Sequence, residues 1–258
     1  MVRPKKNLGQ HFLTDPSIAG RIVDSLLVEQ GDTVLEIGPG TGVLTGLLLE
    51  KDIRLLSVEI DQEAVAHLKQ RWPGLAAQII EADFLKMEMD QYLDGRFHII
   101  GNFPYNISSQ IFFRILELRQ QVPSVVCMVQ QEVARRIVSP PGSRTYGILS
   151  VLLQAYFDTS LLFTVKAGSF FPPPKVTSAV IRLTRNQTDS LPCDENLFFR
   201  VVKTTFNQRR KMIRNSIKSI LLNLDDDFDL LSKRPEQLGV PEFVELTNWV
   251  NRHQREKS

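Results

Sequence analysis

Along the first two-thirds of the chain, apolar residues fall in short, nearly unbroken runs separated by stretches with helical spacing. Residues 33–37, 53–60, 77–80, 97–100 and 124–129 have strand length, and their continuous apolar character suits parallel strands covered on both faces. Residues 43–50, 62–72, 108–118 and 132–138 read as helices, with Asp61 and Ser108 as N-caps. Strands alternating with helices of this length predict a doubly wound α/β sheet. Beyond Leu161 the pattern changes. Residues 161–167 and 176–184 read as two strands joined by the Pro-rich stretch 170–175, an antiparallel hairpin at the sheet edge; in the second, Ala179, Ile181 and Leu183 alternate with Ser178, Val180 and Arg182. Residues 185–194 form the one linker-like stretch. After it the period is helical, through Leu197, Val201 and Thr205, then Ile213, Ile217, Ile220, Leu221 and Leu224. The expected division is a domain over 1–187 and a small all-helical domain over 188–258.

Composition narrows the class. With 258 residues, 43% hydrophobic and 23% charged, the chain can bury a core, which excludes wholesale disorder. Mean hydropathy is -0.10, and no apolar run reaches the ~18 residues of a membrane span. The N-terminal dozen residues are basic and polar, unlike a secretory signal, and the expected compartment is the cytoplasm. Cys127 and Cys193 sit in unlike contexts and build neither a disulfide framework nor a cysteine-based metal site, so no metal is expected. Net charge is only +2, but its distribution is uneven. Lys203, Arg209, Arg210, Lys211, Arg214 and Lys218 form a carboxylate-free basic segment, and no carboxylate precedes Asp15. Both patches suit a phosphate-binding face, or equally two solvated surfaces.

Chemistry enters with Gly38-Pro39-Gly40-Thr41-Gly42, which follows a strand and opens a helix. Glycines there let the backbone turn sharply and approach a ligand. Glu59 ends the next strand, where a carboxylate can accept two hydrogen bonds from ribose hydroxyls. An adenosine-containing cofactor is indicated. The spacing decides against NAD, because the third glycine of a dinucleotide fingerprint would fall on Val43. At this point the chain resembles class I S-adenosylmethionine-dependent methyltransferases with a Rossmann-like sheet. The resemblance implies that the loop, through Gly38 and Gly40, passes beneath the methionine part of the cofactor. It implies that Glu59 with Ile60 holds the ribose, and that Asp83 with Phe84 serves the adenine; taken alone, Asp83 reads as a turn residue.

Asn102-Phe103-Pro104-Tyr105 lies just beyond the fourth strand and resembles the amino-methyltransferases that act on adenine. An exocyclic adenine amine is a poor nucleophile because its lone pair is delocalised into the ring. The Asn102 side-chain oxygen and the Pro104 carbonyl can hold both amine hydrogens and draw the nitrogen toward sp³ geometry, so that orientation and electrostatics carry the catalysis. Tyr105 would stack on the base, and Phe170, on a loop stiffened by three prolines, would sandwich the flipped adenine against it.

Taken in order, 6–13 (Lys-Asn-Leu-Gly-Gln-His-Phe-Leu), the glycine loop, 102–108, 169–178 and 206–211 (Phe-Asn-Gln-Arg-Arg-Lys) resemble the bacterial 16S ribosomal RNA adenine dimethyltransferase family over residues 5–217, most of the chain. The resemblance implies dimethylation of two neighbouring adenosines near the 3′ end of the rRNA of the small ribosomal subunit, with a second role as a late assembly factor. It further implies a monomer, with S-adenosylmethionine contacted by His11, Leu13 and Asn102, and rRNA phosphates gripped by Lys203, Arg209, Arg210, Lys211 and Arg214. Many members carry Asn at the position of His11 and Leu at that of Phe103. Two alternatives stand beside this reading: the related 23S rRNA adenine methyltransferases, and a non-catalytic ribosome-assembly protein on the same scaffold.

Overall fold

In the computed structural model, which describes residues 2–221 and 228–255, strand β1 (Phe12–Leu13) lies apart from the main sheet. The five apolar runs form β2 (Thr33–Ile37), β3 (Arg54–Glu59), β4 (Ile79–Glu81), β5 (His98–Asn102) and β6 (Ser124–Gln130), all parallel. They are followed by β7 (Phe157–Val165), the two-residue β8 (Phe170–Phe171) and β9 (Ser178–Arg185). The seven-stranded sheet has the order β4-β3-β2-β5-β6-β9-β7. Chain order reverses between β2 and β5, and that switch point opens a crevice at the carboxyl ends of the strands.

The edge hairpin is present in a different form from the one expected. β9 lies inside, antiparallel to β6 from Ser124↔Thr184 to Gln130↔Ser178, and β7 forms the edge. β7 begins at Phe157, four residues before the expected start. The Pro-rich connection is more than a turn, because β8 pairs antiparallel with β1, Phe12 opposite Phe171 and Leu13 opposite Phe170. Leu13 and Phe170 are both buried in the core, which is what brings the two distant segments together.

Around the sheet lie α1 (Pro16–Asp24), α2 (Val43–Leu48), α3 (Gln62–Arg71) and α4 (Ser108–Glu117). The α1 helix was not anticipated. Asp15 caps it by accepting from the Ser17 and Ile18 amides at 3.0 and 3.3 Å, Pro16 occupies its first turn, and Ala19, Ile22 and Val23 face the core. Asp61 caps α3 as expected, accepting from the Glu63 amide at 3.0 Å. Ser108 is not a cap. Ile107 holds that position, and the Ser108 hydroxyl donates backward to the Tyr105 carbonyl at 3.3 Å, because the preceding turn already closes from Ile107 N–H to the Pro104 carbonyl.

The chain divides into two compact units. The first comprises the described residues up to Ala134 with Asp158–Arg185; the second comprises Arg135–Phe157 with the described residues from Asn186 onward. The expected break after residue 187 lies two residues beyond the third crossing, at 185/186. Residues 135–157, assigned to the first domain from sequence, belong to the helical unit instead, and α5 (Gln131–Val138) runs through the boundary. In the second unit α6 (Ile148–Gln154), α7 (Glu195–Asn207), α8 (Ile213–Ser216) and α9 (Val240–Arg255) share a core. The Tyr146, Phe206 and Phe243 rings lie in sequence within it, 6.2 and 5.9 Å between centroids. The expected helical run from Ile213 is only one α-turn long before it tightens to a 3₁₀ turn, where the Ser216 hydroxyl donates to the Ile213 carbonyl at 3.1 Å. Leu224 lies outside the described residues.

Candidate active site

A cavity of about 390 Å³ opens in the first unit at the switch point, within the range of small-molecule sites. Its floor is the glycine loop. Gly38, Gly40 and Gly42 have φ of +66°, +55° and +81°, so all three need the left-handed region. A Cβ at Gly38 would meet nothing within 4 Å, whereas one at Gly40 would lie 2.8 Å from the Phe12 ring. The loop thus presents bare backbone to the cavity, with Phe12 closing over it.

Glu59, at the end of β3, is buried beside this loop. Its Oε1 accepts from the Ile60 and Asp61 amides at 2.9 and 3.0 Å, and its Oε2 from the Gly40 amide at 3.0 Å. Burial raises its pKa above the usual carboxylate value, and the three amides oppose that rise. Of about four acceptor sites on a carboxylate, one remains on Oε2. The expected pair of ribose hydrogen bonds therefore requires one amide to share its acceptor. Asp83 also lines the cavity; its Oδ1 accepts from the Leu85 amide at 3.0 Å, and its Oδ2 is ion-paired with Lys86 at 3.7 Å, a separation too long for a hydrogen bond.

Asn102 ends β5. Gly101 makes that position possible, since a Cβ there would collide with the Ile37 carbonyl. The Asn102 Nδ2 donates to the His11 carbonyl at 2.8 Å. A carbonyl can only accept, so the amide nitrogen must face His11 and Oδ1 is the end left for a ligand. Tyr105 is fixed by a hydrogen bond between its hydroxyl and Ser178 Oγ, and the His11 ring stacks on it at 5.5 Å between centroids and 25° between planes. The imidazole Nδ1 donates to the Pro172 carbonyl at 2.7 Å. His11 thus joins the N-terminal segment, the Asn-Phe-Pro-Tyr turn and the proline loop through both side chain and backbone.

Of the residues expected around the cofactor and base, the cavity gathers His11, Gly38, Gly40, Glu59, Ile60, Asp83, Phe84, Asn102, Pro104 and Tyr105. It does not gather Leu13 or Phe170, which face each other across the β1–β8 ribbon on its core side. Phe170, expected to sandwich a base against Tyr105, is 4% exposed and packed in the core, and the ring that stacks on Tyr105 is that of His11. Sequence reading missed Asn7–Gln10 of the wall and the clasp that holds them. Lys5 Nζ pairs with Asp61, and Gln10 Nε2 donates to the other Asp61 oxygen at 3.0 Å. Burial works against the Asp61 anion, yet Lys5, Gln10 and the Glu63 amide outweigh it and lower its pKa. Asp61 had shown itself in sequence only as a helix cap.

In the second unit, Lys203, Arg210, Lys211 and Arg214 are exposed. Arg209 is turned inward: it donates to the Ser143 carbonyl at 3.3 Å and lies 3.9 Å from Glu236. Among the described residues no cluster of His, Cys, Asp or Glu has metal-binding geometry, and no helix is long and apolar enough to cross a membrane.

A family model described as ribosomal RNA adenine dimethylase matches residues 1–233. A ribosomal RNA small subunit methyltransferase A of Parabacteroides distasonis is 54% identical over 255 residues, 98% of this chain and 96% of the relative. Among solved structures, a dimethyladenosine transferase from Plasmodium falciparum superposes with a TM-score of 0.79 at 23% identity, over 95% of this chain and 98% of that one. The 23S rRNA methyltransferase ErmE gives 0.68 at 26% identity, over 92% and 99%.

Proposed function

Because this chain belongs to the ribosomal RNA adenine dimethylase family, we propose that it dimethylates the exocyclic amines of two adjacent adenosines near the 3′ end of 16S rRNA, in the small ribosomal subunit. S-adenosylmethionine is the methyl donor in this reading, and the reaction takes place in the cytoplasm on a monomeric enzyme that also acts late in subunit assembly. The cavity suits such a donor: bare backbone at Gly38, a buried carboxylate at Glu59 and the Asp83 carboxylate can meet its methionine part, ribose and adenine. When bound, the donor supplies an electrophilic sulfonium methyl group.

The residues of the chain act on the other partner. Asn102 carries the proposal, because the His11 carbonyl takes its amide nitrogen and leaves Oδ1 as an oriented acceptor beside Pro104. One amine hydrogen goes to Asn102 Oδ1 and the other to the Pro104 carbonyl, which frees the nitrogen lone pair. Tyr105 supports the base plane. No shifted general base is required: transfer would break the donor's methyl–sulfur bond and leave a neutral thioether, and the amine proton, acidic only after the methyl has arrived, would pass to water. For the second methylation the monomethylated amine retains one hydrogen, so one of the two acceptors suffices. Exposed Arg210, Lys211, Arg214 and Lys203 contact rRNA phosphates, while Arg209 braces its own unit.

The 54% identity to a small-subunit enzyme, against 26% to a 23S enzyme, favours the small subunit as substrate. The test is incubation with methyl-labelled donor and unmodified ribosomal subunits, followed by mass spectrometry of the rRNA. Two dimethyladenosines in small-subunit rRNA are expected. Label confined to large-subunit rRNA, or donor binding without any methylation, would overturn the reading.

A further inference from the structure

The β1–β8 ribbon has two faces. Leu13 and Phe170 point into the core, each 4% exposed. Cross-strand partners project from the same face, so Phe12 and Phe171 share the opposite one. Phe12 lines the cavity and covers Gly40, whereas Phe171 beside it is 62% exposed. An isolated exposed apolar side chain is ordinary. Three observations set Phe171 apart. It is the cross-strand partner of Phe12, which lines the cavity. It sits at the head of three consecutive prolines, the first of which holds His11, so little entropy is lost in presenting it. Finally, the ribbon is where two carboxylate-free stretches of the chain meet. No Asp or Glu occurs in residues 1–14 or in residues 159–188, and the latter carry Lys166, Lys175, Arg182 and Arg185. Lys166 and Lys175 flank Phe171 in sequence and are exposed, and Val176 next to Lys175 is 44% exposed. An exposed aromatic ring with cations five residues before it and four after it in the chain, paired across the ribbon with a residue that lines the cavity, matches what single-stranded RNA uses: phosphate contacts from cations and stacking on the ring.

We propose that this rim binds the RNA strand flanking the target adenosine, with Phe171 stacked on the neighbouring base and Lys166 and Lys175 on its phosphates. The proposal rests on the reading of the chain as an rRNA adenine dimethyltransferase and adds a contact outside the catalytic pocket.

The test is a protein–RNA double-mutant cycle with the full chain and bound methyl donor. Binding is measured to a labelled oligonucleotide of the target segment, with the nucleotide next to the target adenosine either intact or abasic. Phe171→Ala is expected to weaken binding of the intact RNA about tenfold, within the span of base–aromatic stacking, and to leave the abasic RNA unaffected. Phe171→Trp restores the intact-RNA affinity. Removing Lys166 and Lys175 lowers the salt dependence of binding by about 0.7 in slope per lysine. Donor affinity stays unchanged throughout, which separates these effects from misfolding. Equal losses on intact and abasic RNA overturn the proposal. So does a change confined to self-association, which would assign the face to a second copy of the chain. If the wild-type chain methylates no rRNA, the functional reading itself fails; normal methylation with no Phe171 coupling defeats only this inference.

Discussion

Replacing Glu36 with glutamine isolates a single buried proton. Glu36 lies in β2, two residues before the first glycine of the cavity floor, and is 1% exposed. Its Oε2 accepts from Thr45 Oγ1 of α2 at 2.7 Å and Ser57 Oγ of β3 at 3.2 Å, and its Oε1 has no partner. The side chain therefore ties together the three elements that bracket the glycine loop. An anion there would be desolvated with one oxygen unsatisfied. Burial raises the pKa from 4.5 to about 7, more than the two hydroxyl donors can offset, and the Glu59 charge adds to the rise. The sign follows from proton counting. Between the two values the unfolded chain has released this proton while the native state retains it, so stability falls as pH rises. Its contribution is complete below 4.5 and lost above about 7. At ~1.4 kcal/mol for each pH unit of that interval, the loss is ~3 kcal/mol, a large part of a typical domain's stability. Glutamine keeps an acceptor for Thr45 and Ser57 and cannot ionise. Urea unfolding of both proteins from about pH 4 to about pH 8 should give a difference in unfolding free energy that is small at the acid end and grows by ~3 kcal/mol in favour of Glu36→Gln. Subtracting the two curves removes titrating groups that do not interact with Glu36, Asp61 among them, whereas Glu59, whose charge is felt at Glu36, stays within the difference. Parallel curves would refute the argument, because they would mean that Glu36 ionises in the native state as readily as in the unfolded chain.

Other substitutions probe the cavity and the RNA-facing unit. Asn102→Ala should lower the methyl-transfer rate by ~10² to 10³, as loss of an oriented polar group at a reacting centre does, with a much smaller change in donor affinity; single-turnover kinetics and calorimetry separate the two. Gly40→Ala should cost ~1 to 2 kcal/mol for its left-handed backbone and also weaken donor binding by displacing Phe12. Gly142→Ala, at φ +82° with nothing within 4 Å, is the control that carries the backbone cost alone. Neutralising Arg210, Lys211 and Arg214 together should flatten the salt dependence of subunit binding by ~0.7 to 0.9 per residue while unfolding stays unchanged. Arg209→Ala should instead lower stability by about 1 kcal/mol, through lost contacts to Ser143 and Glu236, as read in denaturant unfolding.

The parallel strands were legible because period and burial coincide in them. A strand covered on both faces is mostly apolar: in 124–129 only Ser124 is polar, and 33–37 admits the buried Glu36 because Thr45 and Ser57 donate to it. The glycine loop, Glu59 and Asn102 were legible for a related reason: backbone conformation and strand-end position restrict the residue types that fit. The short pieces were not. The two-residue strands β1 and β8 carry no periodic signal, and their pairing across more than 150 residues comes from the shared burial of Leu13 and Phe170. Residues 135–157 read as a continuation of the sheet region because nothing in their composition says which core they enter; packing with α7 and α9 decides that.

The same distinction runs through the site. Local sequence determined which residues can turn, cap or end a strand, because those choices depend on a residue's own sterics and hydrogen-bonding groups. Only the tertiary structure decided which of two adjacent phenylalanines enters the core, that His11 rather than Phe170 lies on Tyr105, and that Arg209 faces inward while Arg210 faces water. Each of these depends on a partner far away in the chain, and a side chain's energy in a packed interior is set by its neighbours in space.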